Sequence, residues 1–135
     1  MPPRPAALRL RGLEPGLFGE CSAVVGHEDT CRSLGTGELD ILATPKVLAM
    51  LECAALSALE PLLHPDLTTL GVRFQLEHLL PIGVGEAIRA TASLLSVRGR
   101  RLTFAVRLVD SQERVVGVGR LTRAVVQRAT LAAPD

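Results

Sequence analysis

Aromatic residues are nearly absent from this chain of 135 residues, which contains no Trp, no Tyr and three Phe. Hydrophobic residues nonetheless make up 47% of it, which is ample material for a core and argues against disorder. The core must therefore be built from aliphatic side chains. The length fits one domain and leaves little room for two.

Cysteine is also scarce, with residues only at Cys21, Cys31 and Cys53. An odd number without CxxC spacing argues against a disulfide framework and against a zinc site. We interpret the three cysteines as reduced thiols that pack as small apolar side chains in a cytosolic protein. We therefore expect a cytoplasmic location and no bound metal.

Strong net charge and long apolar runs are lacking as well. The formal net charge is +1, so charge gives no reason to expect a nucleic acid or a membrane surface as partner. No apolar run approaches the roughly 20 residues that span a bilayer.

Prolines near the start indicate a flexible arm over residues 1–14 rather than a transit helix. The domain is expected over 15–129, with a C-terminal tail over 130–135.

Hydrophobic patterning predicts a strand over 17–26, then a long loop over 27–40 that is rich in Gly, Ser, Thr and Asp. Thr44, as the expected N-cap, and Pro45, as the first helical residue, open a helix that reaches about Glu60. Four alternating segments predict strands joined by short turns and therefore paired antiparallel: 68–79, 86–96, 101–110 and 114–127. The prediction is an α+β fold, one long central helix wrapped by a curled antiparallel sheet of about five strands.

Glu52 lies in the middle of the helical stretch LATPKVLAMLECAALSAL, among leucines and alanines. At about 100° per residue, Lys46, Ser57 and Glu60 form a polar stripe, and Glu52 lies about a third of a turn away from it. A carboxylate there must be hydrogen-bonded, ion-paired or protonated. Such carboxylates cluster at functional sites; the alternative is a loosely packed helix with this residue at a rim.

His78 points toward the predicted core, because Val72, Phe74 and Leu76 share its face by period two. A lone histidine there is more often a satisfied core residue than a catalyst. However, strand ends border clefts, and an inward His beside an inward Glu can act as an acid/base pair. N-capping accounts for Thr44, yet its hydroxyl lies at a helix N-terminus, where backbone N–H groups favour a developing oxyanion.

Four stretches resemble the hot-dog thioesterases of the fluoroacetyl-CoA thioesterase family: LATPKVLAMLECAA, LGVRFQLEHLLPIGVGEAI, SVRGRRLTFAVRLVD and VVGVGRLTRAVV. The resemblance extends over residues 17–127 with matching order and spacing. It implies a hot-dog fold and a homodimer whose sheets join edge to edge, with active sites near the subunit interface and tetramers as a further option. It also implies a catalytic set of Thr44, Glu52 and His78, with Gly71 and Arg123 as substrate or CoA contacts.

The implied activity is hydrolysis of a small or medium acyl-CoA thioester to the carboxylic acid and CoA, without a cofactor because CoA is part of the substrate. Glu52 would act as nucleophile or as base, His78 as acid/base, and Thr44 would orient the carbonyl or the glutamate. Gly71 permits close approach of the thioester. For Arg123 the alternative is a salt-bridged surface arginine.

Other functions remain open beside this one. The family's bulky aromatic lid has no counterpart in SLGTGELDILAT, residues 33–44, so selectivity for fluorinated substrates is not expected. The same pocket would serve a non-catalytic acyl-CoA-binding module, since fold alone does not decide function. A purely structural dimerisation domain is the third alternative, but it has no use for an inward Glu52 and His78. If these two residues act together, their side chains line one pocket.

Overall fold

The computed structural model describes residues 10 and 12–131. Residues 1–9 and 11 of the predicted arm, and residues 132–135 of the predicted tail, lie outside the described residues. Leu13, within the predicted arm, is buried in the core. In chain order the elements are β1 (Phe18–Val24), a 3-10 turn (His27–Asp29), α1 (Cys31–Leu34), α2 (Thr44–Leu59), β2 (Leu67–His78), β3 (Ala87–Arg98), β4 (Arg101–Asp110), β5 (Val115–Gln127) and α3 (Arg128–Leu131).

The segment predicted as a long loop, residues 27–40, contains the 3-10 turn and the short helix α1. The hydroxyl of Thr30 accepts a hydrogen bond from the backbone N–H of Ser33 (3.2 Å) and caps α1. Gly35 ends α1 in the left-handed region at φ 74°, a conformation that favours glycine. Two of the residues that suggested a loop, Thr30 and Gly35, are therefore caps of α1, while residues 36–40 are non-helical.

Helix α2 begins one residue earlier than expected. Its N-cap is Ala43, so the prediction of Thr44 as N-cap is wrong: Thr44 and Pro45 are the first two helical residues. No side chain of the described residues caps this end, and the backbone N–H of Ala43 donates to the carbonyl of Asp29 (2.9 Å). The hydroxyl of Thr44 is consequently available for another partner. The helix ends at Leu59, just before the predicted limit.

The five strands form one antiparallel sheet in the order β1-β3-β4-β5-β2. The antiparallel prediction is confirmed, but the pairing of β2 with the strand that follows it is wrong, because β2 pairs with β5 at the edge. The connection over residues 79–86 crosses the end of the sheet. It is anchored by buried Ile82, whose carbonyl accepts from the N–H of Leu42 (2.7 Å). A short connection thus links distant strands.

Helix α2 packs on the inner face of the sheet, closest to β1 and β3. A Cβ atom at Gly19 would collide with backbone atoms of Ala54 and Ala58, so glycine lets β1 approach the helix. The core is aliphatic, as predicted: of the three phenylalanines Phe104 is fully buried, while Phe18 is exposed by more than half.

Strand β2 exposes residues that periodicity predicts to be inside. A β-bulge at Val72 interrupts the pairing between Gly71 and Arg73. Val72 and Phe74 are 43% and 41% exposed. The reason is that β2 is an edge strand, which has a neighbour on one side only. Together with exposed Leu70, these residues form an apolar edge.

Candidate active site

Thr44 and His78 meet at the start of α2. The Thr44 hydroxyl and His78 Nδ1 lie 2.8 Å apart, within hydrogen-bond distance. His78 is the last residue of β2 and pairs with Gly117 of β5. The pairing accounts for a threonine that N-capping does not explain, and it fixes the orientation of the imidazole ring.

The second ring nitrogen of His78 has no hydrogen-bond partner in the described part of the chain. Nε2 is buried, and no hydrogen bond reaches it from any residue that the structure describes. Burial lowers the pKa of His78 below its ordinary value, although the backbone of Leu80 acts in the opposite direction. The ring is therefore neutral near pH 7, with one nitrogen held by Thr44 and the other without a hydrogen-bond partner among the described residues.

Glu52 is held by a buried arginine. Arg123 Nη1 donates to Glu52 Oε1 at 3.0 Å, and the side chain of Glu52 is 30% exposed. Arg123 itself is 7% exposed, and Thr69 fixes it: Nε donates to Thr69 Oγ1 (2.8 Å) and Nη2 to the Thr69 carbonyl (2.9 Å). The alternative of a salt-bridged surface arginine is therefore right about the ion pair of Arg123 but wrong about its location, because the residue is buried.

Gly71 lies directly beside the Glu52 carboxylate. A Cβ atom there would lie 2.6 Å from Glu52 Oε1 and 2.6 Å from Phe74 Cζ, closer than real Cβ contacts allow. Gly71 also pairs with Arg123 across β2 and β5. A side chain at position 71 would displace the carboxylate, so the glycine allows Glu52 to lie against β2.

The chain brings its predicted residues together as two separate pairs. Thr44 and Glu52 are eight residues apart on α2, which separates them by about 12 Å along the helix axis. Thr44 holds His78 and Arg123 holds Glu52. Within the described part of the chain no hydrogen bond joins the two pairs. The expectation that the Glu52 carboxylate and the His78 ring line one pocket stays a prediction.

Thr69 fixes Arg123, which in turn holds Glu52, and we did not predict these contacts although the sequence pattern indicates them. Arg123 shares its face of β5 with buried Leu121 and Val125 by period two. Thr69 stands two residues after buried Leu67 on β2. An arginine in line with core residues is the same signal that singled out the glutamate, and it predicts an ion pair between them.

The model of the fluoroacetyl-CoA-specific thioesterase family matches residues 25–129 of the chain. The chain belongs to this family. It is 32% identical over 87 residues to the fluoroacetyl-CoA thioesterase of Streptantibioticus cattleyicolor. That match covers 64% of the chain and spans 62% of the relative's length.

Solved structures of family members share the fold. A single-residue variant of the fluoroacetyl-CoA-specific thioesterase superposes with a TM-score of 0.82 at 28% identity, covering 89% of this chain and 93% of that one. A variant bound to acetyl-CoA gives a TM-score of 0.81 at 27% identity, over 87% and 92% of the two chains. A thioesterase superfamily member from Thermus thermophilus gives 0.83 at 23% identity, over 90% and 89%, and shows the fold alone. The hot-dog fold that the family implies is confirmed.

Among residues 10 and 12–131, none of the helices has the length and apolar character that a membrane-spanning segment needs. No group of three or more His, Cys, Asp or Glu side chains is placed to hold a metal ion in that part of the chain.

Proposed function

We propose that this chain hydrolyses an acyl-CoA thioester to the carboxylic acid and CoA. The observation that carries the proposal is the pair of polar contacts, Thr44 with His78 and Glu52 with Arg123, in a member of a thioesterase family. A structural domain has no use for a half-buried carboxylate beside a glycine or for a buried, unpartnered ring nitrogen.

The proposed chemistry uses Glu52 in one of two roles. Its Oε1 is held by Arg123, and Oε2 receives no hydrogen bond from the described residues. The free oxygen either attacks the thioester carbon and forms an acyl-enzyme anhydride, or takes a proton from the attacking water. In both routes the C–S bond breaks, and water supplies the oxygen of the product acid.

His78 is proposed to move the proton. Its ring is neutral in the resting state because burial lowers its pKa, so it can accept a proton. In the anhydride route CoA leaves as the thiolate, and His78 then takes a proton from the water that hydrolyses the anhydride. In the base route Glu52 takes the water proton, and His78 relays it to the CoA thiolate. The Thr44 hydroxyl keeps Nδ1 oriented and helps to bind the developing oxyanion near the start of α2. Gly71 lets Glu52 and Phe74 lie against β2, and the proposal keeps this glycine as a contact of the thioester.

The active unit is proposed to be a homodimer joined through β2. The edge of β2 is unpaired and apolar, with Leu70, Val72 and Phe74 exposed. A twofold axis normal to the sheet near the middle of β2 would pair this strand antiparallel with its copy and bring the Gly71 part of one strand close to the His78 end of the partner's strand.

This pairing supplies what a single chain lacks. The separation of about 12 Å along α2 keeps Glu52 away from the Thr44 and His78 pair of its own chain. Across the twofold axis, Glu52 of one subunit would face Thr44 and His78 of the partner subunit, so each dimer would hold two composite sites.

Changing Phe74 to Glu places a charge at this edge, so the variant should sediment as a monomer. A variant that still sediments as a dimer, at the concentrations where wild type does, would argue against the proposed interface.

The substrate is proposed to carry a small or medium apolar acyl group, because the interior is aliphatic. No aromatic residue occurs over residues 33–44, so discrimination in favour of fluorinated substrates is not proposed. CoA is part of the substrate and no other cofactor is needed. The proposal places the protein in the cytoplasm, with neither nucleic acid nor membrane as partner, and it leaves the stacking of dimers into tetramers as an option.

The test is CoA release from a panel of acyl-CoA esters, followed with a thiol-trapping dye. Wild type and Glu52→Ala are compared, with Glu60→Ala as control because Glu60 is exposed beyond the end of the same helix. We expect turnover by wild type and Glu60→Ala, and none by Glu52→Ala. Absence of release from every ester, together with measurable acyl-CoA binding, would instead identify a non-catalytic binding module.

A further inference from the structure

A small polar pocket lies on the outer face of the sheet, away from α2. It has a volume of about 220 Å³ and is lined by residues of three adjacent strands: Arg73 and Gln75 of β2, Thr103 of β4, and Arg120 and Thr122 of β5. None of these residues belongs to the Glu52 or His78 contacts, which face the helix on the opposite side.

Strand register makes the five side chains neighbours. Gln75 is directly opposite Arg120, while Arg73 and Thr103 are both opposite Thr122. Side chains in directly opposite positions lie about 4.5–5.5 Å apart at Cβ and can act on one ligand. The lining groups therefore converge because of the sheet's register, and they do not depend on a flexible loop.

The two arginines are not neutralised. Neither Arg73 nor Arg120 forms an ion pair with any described residue, although Glu77 lies further along the same face of β2. In contrast, Arg89 on the same face of β3 is paired with Glu113 at 2.9 Å. Two like charges on neighbouring strands repel each other, and a bound anion would remove this cost.

The hydroxyl groups add a directed donor. Thr103 Oγ1 and Thr122 Oγ1 are 3.0 Å apart, and Thr122 is 9% exposed. Whichever hydroxyl donates to the other, the accepting hydroxyl keeps its own hydrogen for a third partner. The pocket therefore offers two guanidinium forks, a hydroxyl hydrogen and the amide of Gln75, and no carboxylate.

We propose that this pocket binds a phosphoryl group in its dianionic form. Guanidinium forks bind phosphate oxygens bidentately, and hydroxyl and amide donors complete the coordination of a tetrahedral anion. The volume lies below the roughly 300–1,000 Å³ of pockets that enclose whole organic ligands, which favours a phosphoryl group over an entire nucleotide. The proposal does not depend on thioesterase activity, because the pocket is on the other face of the sheet.

Thermal unfolding during titration with inorganic phosphate tests the proposal, with sodium chloride keeping the ionic strength constant. A site in the folded state predicts a saturable rise in Tm. Arg73→Gln and Arg120→Gln should each weaken phosphate binding about tenfold, because each removes a charged fork. Arg107→Gln is the matched control: it removes one exposed positive charge from β4 but does not line the pocket.

Two results would overturn the proposal. One is a rise in Tm that does not saturate or that chloride reproduces, which identifies a general salt effect. The other is an unchanged phosphate response in Arg73→Gln and Arg120→Gln, or an equal loss in Arg107→Gln. Both pocket arginines are exposed, so the variants should match wild-type Tm without phosphate, and a folding defect would be visible there.

A second titration separates two sources of the phosphoryl group. Adenosine 3′,5′-diphosphate represents the nucleotide end of CoA, and inorganic phosphate represents the free anion. Tighter binding of the nucleotide that Arg73→Gln abolishes would assign the pocket to the CoA end. Equal binding of both probes would assign it to free phosphate.

Discussion

Substituting Arg123 by Met tests whether this buried guanidinium holds Glu52 in place. Methionine keeps an apolar stem but removes the donors to Glu52 Oε1, Thr69 Oγ1 and the Thr69 carbonyl. Hydrogen bonds to charged groups contribute about 1.5–3 kcal/mol each, and breaking a buried ion pair costs about 3–5 kcal/mol. Because the Glu52 side chain is 30% exposed and regains water, we expect a loss of about 2–3 kcal/mol in the free energy of unfolding.

Urea unfolding of wild type, Arg123→Met and Arg107→Met measures this loss. The exposed Arg107 should contribute less than about 0.5 kcal/mol. Adding Glu52→Gln to Arg123→Met removes the uncompensated charge and should recover about 1 kcal/mol. A free energy of unfolding for Arg123→Met within about 0.5 kcal/mol of wild type would refute the reasoning, as would further destabilisation by the second change.

Three further predictions concern a glycine, a histidine and two thiols. Gly71→Ala should abolish activity but cost less than about 1 kcal/mol, because the new methyl displaces only the ends of the partly exposed Glu52 and Phe74 side chains, whereas Gly83→Ala, with nothing within 4 Å, should be silent in both assays. The pKa of His78 lies below its ordinary 6.5 in the folded chain, so the unfolded chain takes up the proton first as the pH falls. The free energy of unfolding should be fully retained above pH 6.5 and decline below it, and His78→Gln should flatten that decline when unfolding is measured across this range. Burial and the neighbouring Cys53 raise the pKa of Cys21 to about 11, so at pH 8 a thiol reagent should modify exposed Cys53 well before Cys21, as peptide mass mapping will show.

Much of the fold followed from local patterns. Alternation predicted strands β2 to β5 within about two residues, and proline limited α2 near its true end. Local patterns could not predict that β2 pairs with β5, because the choice of partner depends on where a connection crosses the sheet. Buried Ile82 anchors that crossing, and its burial is a property of the folded chain.

The site was predictable only in part, because local patterns identify single residues but not their contacts. Glu52 and His78 were found because each breaks a periodic pattern, and Arg123 breaks the pattern of β5 in the same way. What periodicity could not reveal is which residues bond to each other. The helix geometry separates Glu52 from Thr44, so the two pairs became apparent only in three dimensions.

Subunit mixing tests the central claim that this is a thioester hydrolase whose sites combine two chains. Inactive Glu52→Ala and His78→Ala chains, exchanged at equal concentration, should regain about a quarter of wild-type CoA release, since half of the dimers are mixed and each mixed dimer holds one intact site. Thr44→Val mixed with His78→Ala should stay inactive, because both changes fall in the same half of each site. If mixed dimers of Glu52→Ala and His78→Ala form, as their masses will show, and release no CoA, the composite site is contradicted.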